Sequence, residues 1–245
     1  MSGNRIPRSI IAHRLGAGLG PENSAAACAA ALRAGFRAFE CDVKLSADGV
    51  AFLLHDDTLL RTHGCGLRAS ALDWTRLCRL TQRGGAALPS LRALREVLRG
   101  CAEPTWVNLE IKPDGDAGAA QQADWGRRVG ALAAALWSDA ATPPCLSSFS
   151  IPALQGAAEA AAQLPRAWLC ERLPQGWRGV AQTLRVEALH LEAGACTPRM
   201  VHALRASGLR VRLYTVNDAT RLRRWLRLGA SGVFTDIVPA DPRVC

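Results

Sequence analysis

Residues 188–216 read ALHLEAGACTPRMVHALRASGLRVRLYTV, and their punctuation decides the fold class. Ala188 to Glu192 is a short apolar run of strand length. Thr197 is a helix N-cap and Pro198 takes the first helical position, where a missing N–H costs nothing. Gly208 closes that helix, and Arg210 to Val216 is a second strand-length run.

The same alternation extends outward. Toward the C-terminus, Asp218 to Leu228 reads as a helix and Val233 to Ile237 as a final strand. Toward the N-terminus, strands are expected at Ser9 to His13, Ala38 to Leu45, Val50 to His55, Trp106 to Lys112, Cys145 to Phe149 and Arg166 to Cys170. Helices are expected after Pro21-Glu22-Asn23-Ser24 as far as Gly35, and at Leu91 to Arg99, Trp125 to Trp137 and Pro152 to Gln163. Thr58 to Pro89 reads as an irregular excursion with a short helix around Trp74 to Leu80. Alternating strands and helices specify α/β. The chain has 245 residues, close to the roughly 250 of one (β/α)₈ TIM barrel. Both runs around Asp48-Gly49 are counted as barrel strands. The expectation is one barrel domain over 1–245, with a small insertion after the His55 strand.

The net charge is +9, carried almost entirely by arginine, since Lys44 and Lys112 are the only lysines. The arginines are scattered along helices and not interleaved with aromatics, so a nucleic-acid groove is not expected. Nine cysteines include no CxxC pair, which leaves a zinc site without support. Met1 to Arg8 has no apolar signal core, and no run reaches the roughly 18 apolar residues of a membrane span. Free thiols without an export signal fit the cytoplasm. No motif sets the oligomeric state; a homodimer is compatible with the sequence.

Strand C-termini line the mouth of such a barrel. Glu40 and Asp42 are two apart on one strand and so share a face. Two carboxylates held together repel unless a cation or a proton lies between them; the alternative is that both face solvent at a frayed strand end. Glu110 and Lys112 repeat the spacing, with Leu109 and Ile111 turned toward the helices, or else they form a structural salt bridge. An all-oxygen set of Glu40, Asp42 and Glu110 favours Mg²⁺ or Ca²⁺. His13 and His55, both at strand ends, suit a general acid and base. Arg14 and Lys112 suit phosphate binding. Phe149 and Tyr214, near strand ends, could wall a small polyol. His63, His190 and His202 fit no such pattern.

These motifs, in order, resemble the glycerophosphodiester phosphodiesterase family. They are His13-Arg14 with Pro21-Glu22-Asn23-Ser24, Glu40-x-Asp42-Val43, His55-Asp56-Asp57-Thr58-Leu59 and Leu109-Glu110-Ile111-Lys112. Ser147-Ser148-Phe149, Tyr214-Thr215-Val216-Asn217 and Gly232-Val233-Phe234-Thr235-Asp236 follow. The likeness spans about Ile10 to Val238, most of all to the cytoplasmic bacterial branch that works beside glycerol-phosphate uptake. It implies a barrel of the phospholipase C-like phosphodiesterase type, and hydrolysis of glycerophosphocholine, glycerophosphoethanolamine and similar diesters to sn-glycerol 3-phosphate and an alcohol. It implies a divalent metal on Glu40, Asp42 and Glu110, His13 and His55 as the acid/base pair, Arg14 and Lys112 on the phosphate, and Glu22 and Asn23 as supports behind them. A related barrel enzyme acting on a lipid or inositol phosphodiester, and a non-catalytic binder, are the alternatives. Leu15 stands where this family usually has glycine; if that position requires φ > 0 a leucine is costly, and Gly16 is expected to absorb the turn.

Overall fold

A strand covered on both faces must be apolar nearly throughout, because neither face meets water. Ile10–Ala12 (β1) meets that condition with three buried residues. Ser24 then caps helix Ala25–Arg33 (α1), its hydroxyl accepting from the Ala27 N–H. Ala38–Leu45 (β2) is buried over its whole length, Glu40, Asp42 and Lys44 included, and Ala51–Leu53 (β3) folds back on it. Leu60–His63 (α2) and Trp74–Leu77 (α3) are single turns in the excursion before Leu91–Arg99 (α4). Regular alternation follows: Trp106–Ile111 (β4), Ala119–Leu136 (α5), Cys145–Ser148 (β5), Ile151–Ala160 (α6), Arg166–Cys170 (β6) and Trp177–Leu184 (α7). Ala188–Glu192 (β7), Pro198–Ala206 (α8), Arg210–Tyr214 (β8), Ala219–Arg227 (α9) and Gly232–Thr235 (β9) complete it. This computed structural model describes residues 6–239; most of the Met1 to Arg8 segment, and Cys245, lie outside the described residues.

The sheet runs β1-β9-β8-β7-β6-β5-β4-β2, and β1 pairs with β2 to close the ring. All eight of these strands are parallel, so the fold is a TIM barrel. The strand count needs one correction. β3 pairs antiparallel with β2 (Val43↔Leu53), so it is a ninth strand outside the ring. A hairpin turn at Asp48-Gly49 is too short to bring the chain back parallel, which takes a crossover of a dozen or more residues.

Smaller differences concern helix ends. α5 begins at Ala119, six residues before Trp125, and has no side-chain cap to announce its start. α7 lies where no helix is expected: its N-cap is Gly176 without a side-chain bond, and Gly179 interrupts its pattern. The excursion forms a satellite apolar cluster in which Leu54, Leu59, Leu72, Leu77 and Leu88 pack with Phe52 of β3. Among the described residues no helix is long and apolar enough to cross a membrane.

Register decides which side chains meet inside the ring. Glu40 lies opposite Asn108 and Asp42 opposite Glu110 across β2 and β4. Alternation sends Phe39, Cys41, Val43, Leu109 and Ile111 outward into the apolar layer under the helices. Cys41 is therefore a buried small apolar residue.

α5 and α6 pack through glycines. A Cβ on Gly126 would collide with the Ala153 carbonyl, and one on Gly156 with the Ala123 carbonyl. Gly156→Ala gains about 1 kcal/mol in helix propensity but forces backbone apart, at a cost of about 1–3 kcal/mol. The expected net result is lower stability, read as an earlier denaturation midpoint with an unchanged m-value.

Candidate active site

The C-terminal ends of the barrel strands enclose a cavity of about 170 Å³. His13, Arg14, Glu40, Asp42, His55, Glu110, Lys112, Phe149 and Tyr214 all line it. Every site residue expected from the sequence is thus gathered in one place.

Three buried carboxylates line it together. One oxygen each of Glu40, Asp42 and Glu110 lies within 4.8 Å of the others. Burial, and then the charge of Asp42, pushes the Glu40 carboxyl up to about 8. Burial also raises Glu110, against the pull of Lys112. At Asp42 burial is outweighed by Lys112, His55, Arg14 and a bond from Asn23, which hold it at about 2. Lys112 Nζ lies 3.3 Å from Glu110 Oε1 and 3.4 Å from Asp42 Oδ1, so one ammonium bridges two of the three acids. A hard divalent cation fits this donor set: the oxygens are close, buried and short of positive charge.

The two histidines are oriented alike. His13 Nδ1 is 2.8 Å from Asp236 Oδ1, and His55 Nδ1 is 2.7 Å from Asp56 Oδ1. Pairing Nδ1 with a carboxylate makes Nδ1 the protonated nitrogen and frees Nε2 for chemistry; His13 Nε2 lies 3.9 Å from Glu40 Oε2. Burial lowers the His13 pKa, but the Asp236 hydrogen bond and the Glu40 charge more than offset it, and the net shift is upward. At His55 burial dominates, Asp42 opposes it only in part, and the net shift is downward.

A polar network fixes these groups from behind. Asn23 donates through Nδ2 to Asp42 Oδ2 and accepts through Oδ1 from the Asp42 N–H. Glu22 accepts from Arg14 Nη1 at 3.0 Å and from both terminal nitrogens of Arg61 at 2.6 and 2.7 Å. Arg61, on α2 of the excursion, also donates from Nε to Asp56 at 2.7 Å. One side chain thereby ties Arg14 and His55 together.

Leu15 itself takes φ +64°, between Arg14 at +47° and Gly16 at +105°. Gly16 therefore does not absorb the turn alone. The strain of about 1–2 kcal/mol for a non-glycine residue there is offset by full burial of the Leu15 side chain, which is worth about 1.5–3 kcal/mol. The turn delivers the Arg14 N–H to Glu40 Oε2 at 2.8 Å.

Phe149 and Tyr214 form an edge-to-face pair with centroids 6.0 Å apart. Asn108 and His190 line the cavity too, and sequence reading passed over both, as it did the part played by Asp236 and Arg61. A signal existed for the first two: each is a polar residue at an inward position of a buried strand.

The model of the glycerophosphoryl diester phosphodiesterase family matches residues 13–239. A Mycobacterium tuberculosis protein named "Probable glycerophosphodiester phosphodiesterase 2" is 26% identical over 88% of this chain and 82% of its own. A phosphodiesterase from Oleispira antarctica, solved in complex with the product sn-glycerol-3-phosphate, superposes with a TM-score of 0.83. It is 25% identical and covers 98% of this chain and 95% of its own. The glycerophosphodiester phosphodiesterase of Thermotoga maritima shares the fold, with a TM-score of 0.76 at 22% identity over 98% and 99% of the two chains.

Because the folded pKa of Glu40 lies above its unfolded value, its ionisation destabilises the fold increasingly from about pH 5 to about pH 8. In EDTA, Glu40→Gln should therefore gain stability relative to the wild type as pH rises through that window. Added Mg²⁺ or Ca²⁺ should raise the wild-type Tm more than that of the variant. Thermal unfolding at both ends of the window measures both effects.

Proposed function

The chain belongs to the glycerophosphoryl diester phosphodiesterase family, and from that premise we propose that it hydrolyses small glycerophosphodiesters, glycerophosphocholine and glycerophosphoethanolamine among them, to sn-glycerol 3-phosphate and an alcohol. One observation carries this reading: two imidazoles, each turned by a carboxylate at Nδ1, share a small cavity with three acids and two cations. A cavity below the roughly 300 Å³ of ordinary ligand pockets suits a phosphate with a short polyol better than a lipid.

A phosphodiester anion repels nucleophiles, so its charge must be offset before attack. Arg14 is placed for this: its Nε is buried and has no hydrogen-bond partner among the described residues, while Nη1 is anchored on Glu22. Lys112 adds a second positive charge on the cavity wall. Glu40, Asp42 and Glu110 are the proposed ligands of Mg²⁺ or Ca²⁺, which when bound would polarise the phosphoryl oxygen and neutralise developing charge. His55, shifted toward its neutral form chiefly by burial, takes a proton from the attacking water. His13, shifted toward its protonated form, gives one to the departing alkoxide. Phe149, 44% exposed at the rim, and Tyr214 wall the substrate's carbon chain. A second, more open cavity shares Glu110, Lys112 and Phe149 with the first. It offers the alcohol a solvated exit, which supports tolerance of different headgroups. The cytoplasm is the proposed location, on the thiol-rich composition.

Release of glycerol 3-phosphate from both diesters, read by a coupled assay, should vanish in EDTA and return with Mg²⁺ or Ca²⁺. No turnover by a folded sample with any divalent metal would overturn the reading. His13→Ala and His55→Ala should each lower kcat about 100-fold or more without changing the circular dichroism spectrum; full activity in either removes that residue from its role. Asp236→Asn should shift the alkaline limb of the rate–pH profile to lower pH, because the Asp236 bond is what lifts the His13 pKa.

A further inference from the structure

We propose that Asn108 and His190 form a hydroxyl-recognition subsite inside the barrel, with Asn108 level with Glu40 and below Glu110, one that takes the diol end of a glycerophosphodiester; this rests on the function read above. Asn108 precedes Glu110 by two residues on β4, so it lies about 7 Å further down the strand on the same inward face. His190 is inward on β7, opposite Leu169 and Arg212 in register. Both line the same cavity as the catalytic groups, and their exposures are only 1% and 0%.

Their existing bonds assign what each has left to offer. Asn108 Nδ2 donates to Ser147 Oγ at 2.8 Å, which leaves Oδ1 an acceptor. Arg212 Nη1 lies 3.1 Å from His190 Nε2. A guanidinium can only donate, so Nε2 accepts and the ring proton is on Nδ1. Arg212 is itself held over the Trp106 ring at 4.7 Å and near Glu187 at 3.7 Å, so the tautomer is imposed from below. Asn108 Oδ1 and His190 Nδ1 are both buried and, among the described residues, have no hydrogen-bond partner. Tyr214 Oη is in the same state, and burial keeps the phenol protonated.

An unpaired buried acceptor and an unpaired buried donor each carry a desolvation penalty that a protein core normally avoids. Here they line one cavity with Leu169 and Phe234. A hydroxyl is both donor and acceptor. Two neighbouring hydroxyls on a short carbon chain can give to Asn108 Oδ1, take from His190 Nδ1 and leave carbon against Leu169 and Phe234. A site built to bond a hydroxyl rejects analogues that lack it strongly. The subsite would thus select the glycerol side of the diester while the alcohol side stays unread.

The test compares two substrates: glycerophosphoethanolamine, which has the diol, and bis(4-nitrophenyl) phosphate, a diester without hydroxyls. Asn108→Leu should lower kcat/KM for the first at least 10-fold, mainly through KM, and leave the second within about twofold. His190→Gln, which keeps an acceptor for Arg212, should retain more activity on glycerophosphoethanolamine than His190→Phe. Parallel loss on both substrates in Asn108→Leu, or no loss on either, would overturn the subsite and leave the diesterase reading standing. A wild-type chain that turns over neither substrate with metal would overturn both.

Discussion

Three carboxylates packed within 4.8 Å of one another, all out of water, are the constraint on which the site depends. Left alone they would repel or take up protons. The surrounding structure is an answer to that charge: Lys112 bridges two of them, the Arg14 N–H and Asn23 bond two, and Arg14 lies 3.8 Å from Asp42. A bound divalent cation is the remaining term that such a set can accommodate. The same imbalance shapes the histidines, because acidic neighbours raise His13, while at His55 the charge of Asp42 is outweighed by burial.

Holding these groups needs rigidity from outside the ring. The strained turn at Arg14, Leu15 and Gly16 places a backbone donor on Glu40, and buried Leu15 keeps the turn in place. The excursion after β3 contributes Arg61, which joins Glu22 and Asp56 and through them Arg14 and His55. At the mouth, Lys44 is wholly buried between Asp57 and Asp114, at 2.6 and 3.1 Å, and ties the loops after β3 and β4 together. Ionic contacts therefore link the loops where the barrel strands alone would leave them separate. The half-exposed Arg61 pairs contribute little stability, so their value here is placement.

Much of this was legible in the chain. Strand and helix alternation, proline and glycine punctuation, and two-residue spacing of acids specified an α/β barrel with Glu40, Asp42, Glu110 and Lys112 on inward faces, since those features depend on local geometry that repeats along a strand. The motif series from His13 to Asp236 specified the family, because each piece is a short run at a strand end. Tertiary structure alone decided three things. It left β3 outside the ring, since the pairing of β2 with β4 that continues the barrel is not encoded in either run. It brought Asp236 to His13 and Arg61 to Glu22, contacts between residues remote in sequence whose distances follow only once the barrel closes. And it left Asn108 Oδ1 and His190 Nδ1 without a hydrogen-bond partner among the described residues, because whether a buried polar atom has a partner depends on neighbouring strands that no local pattern names.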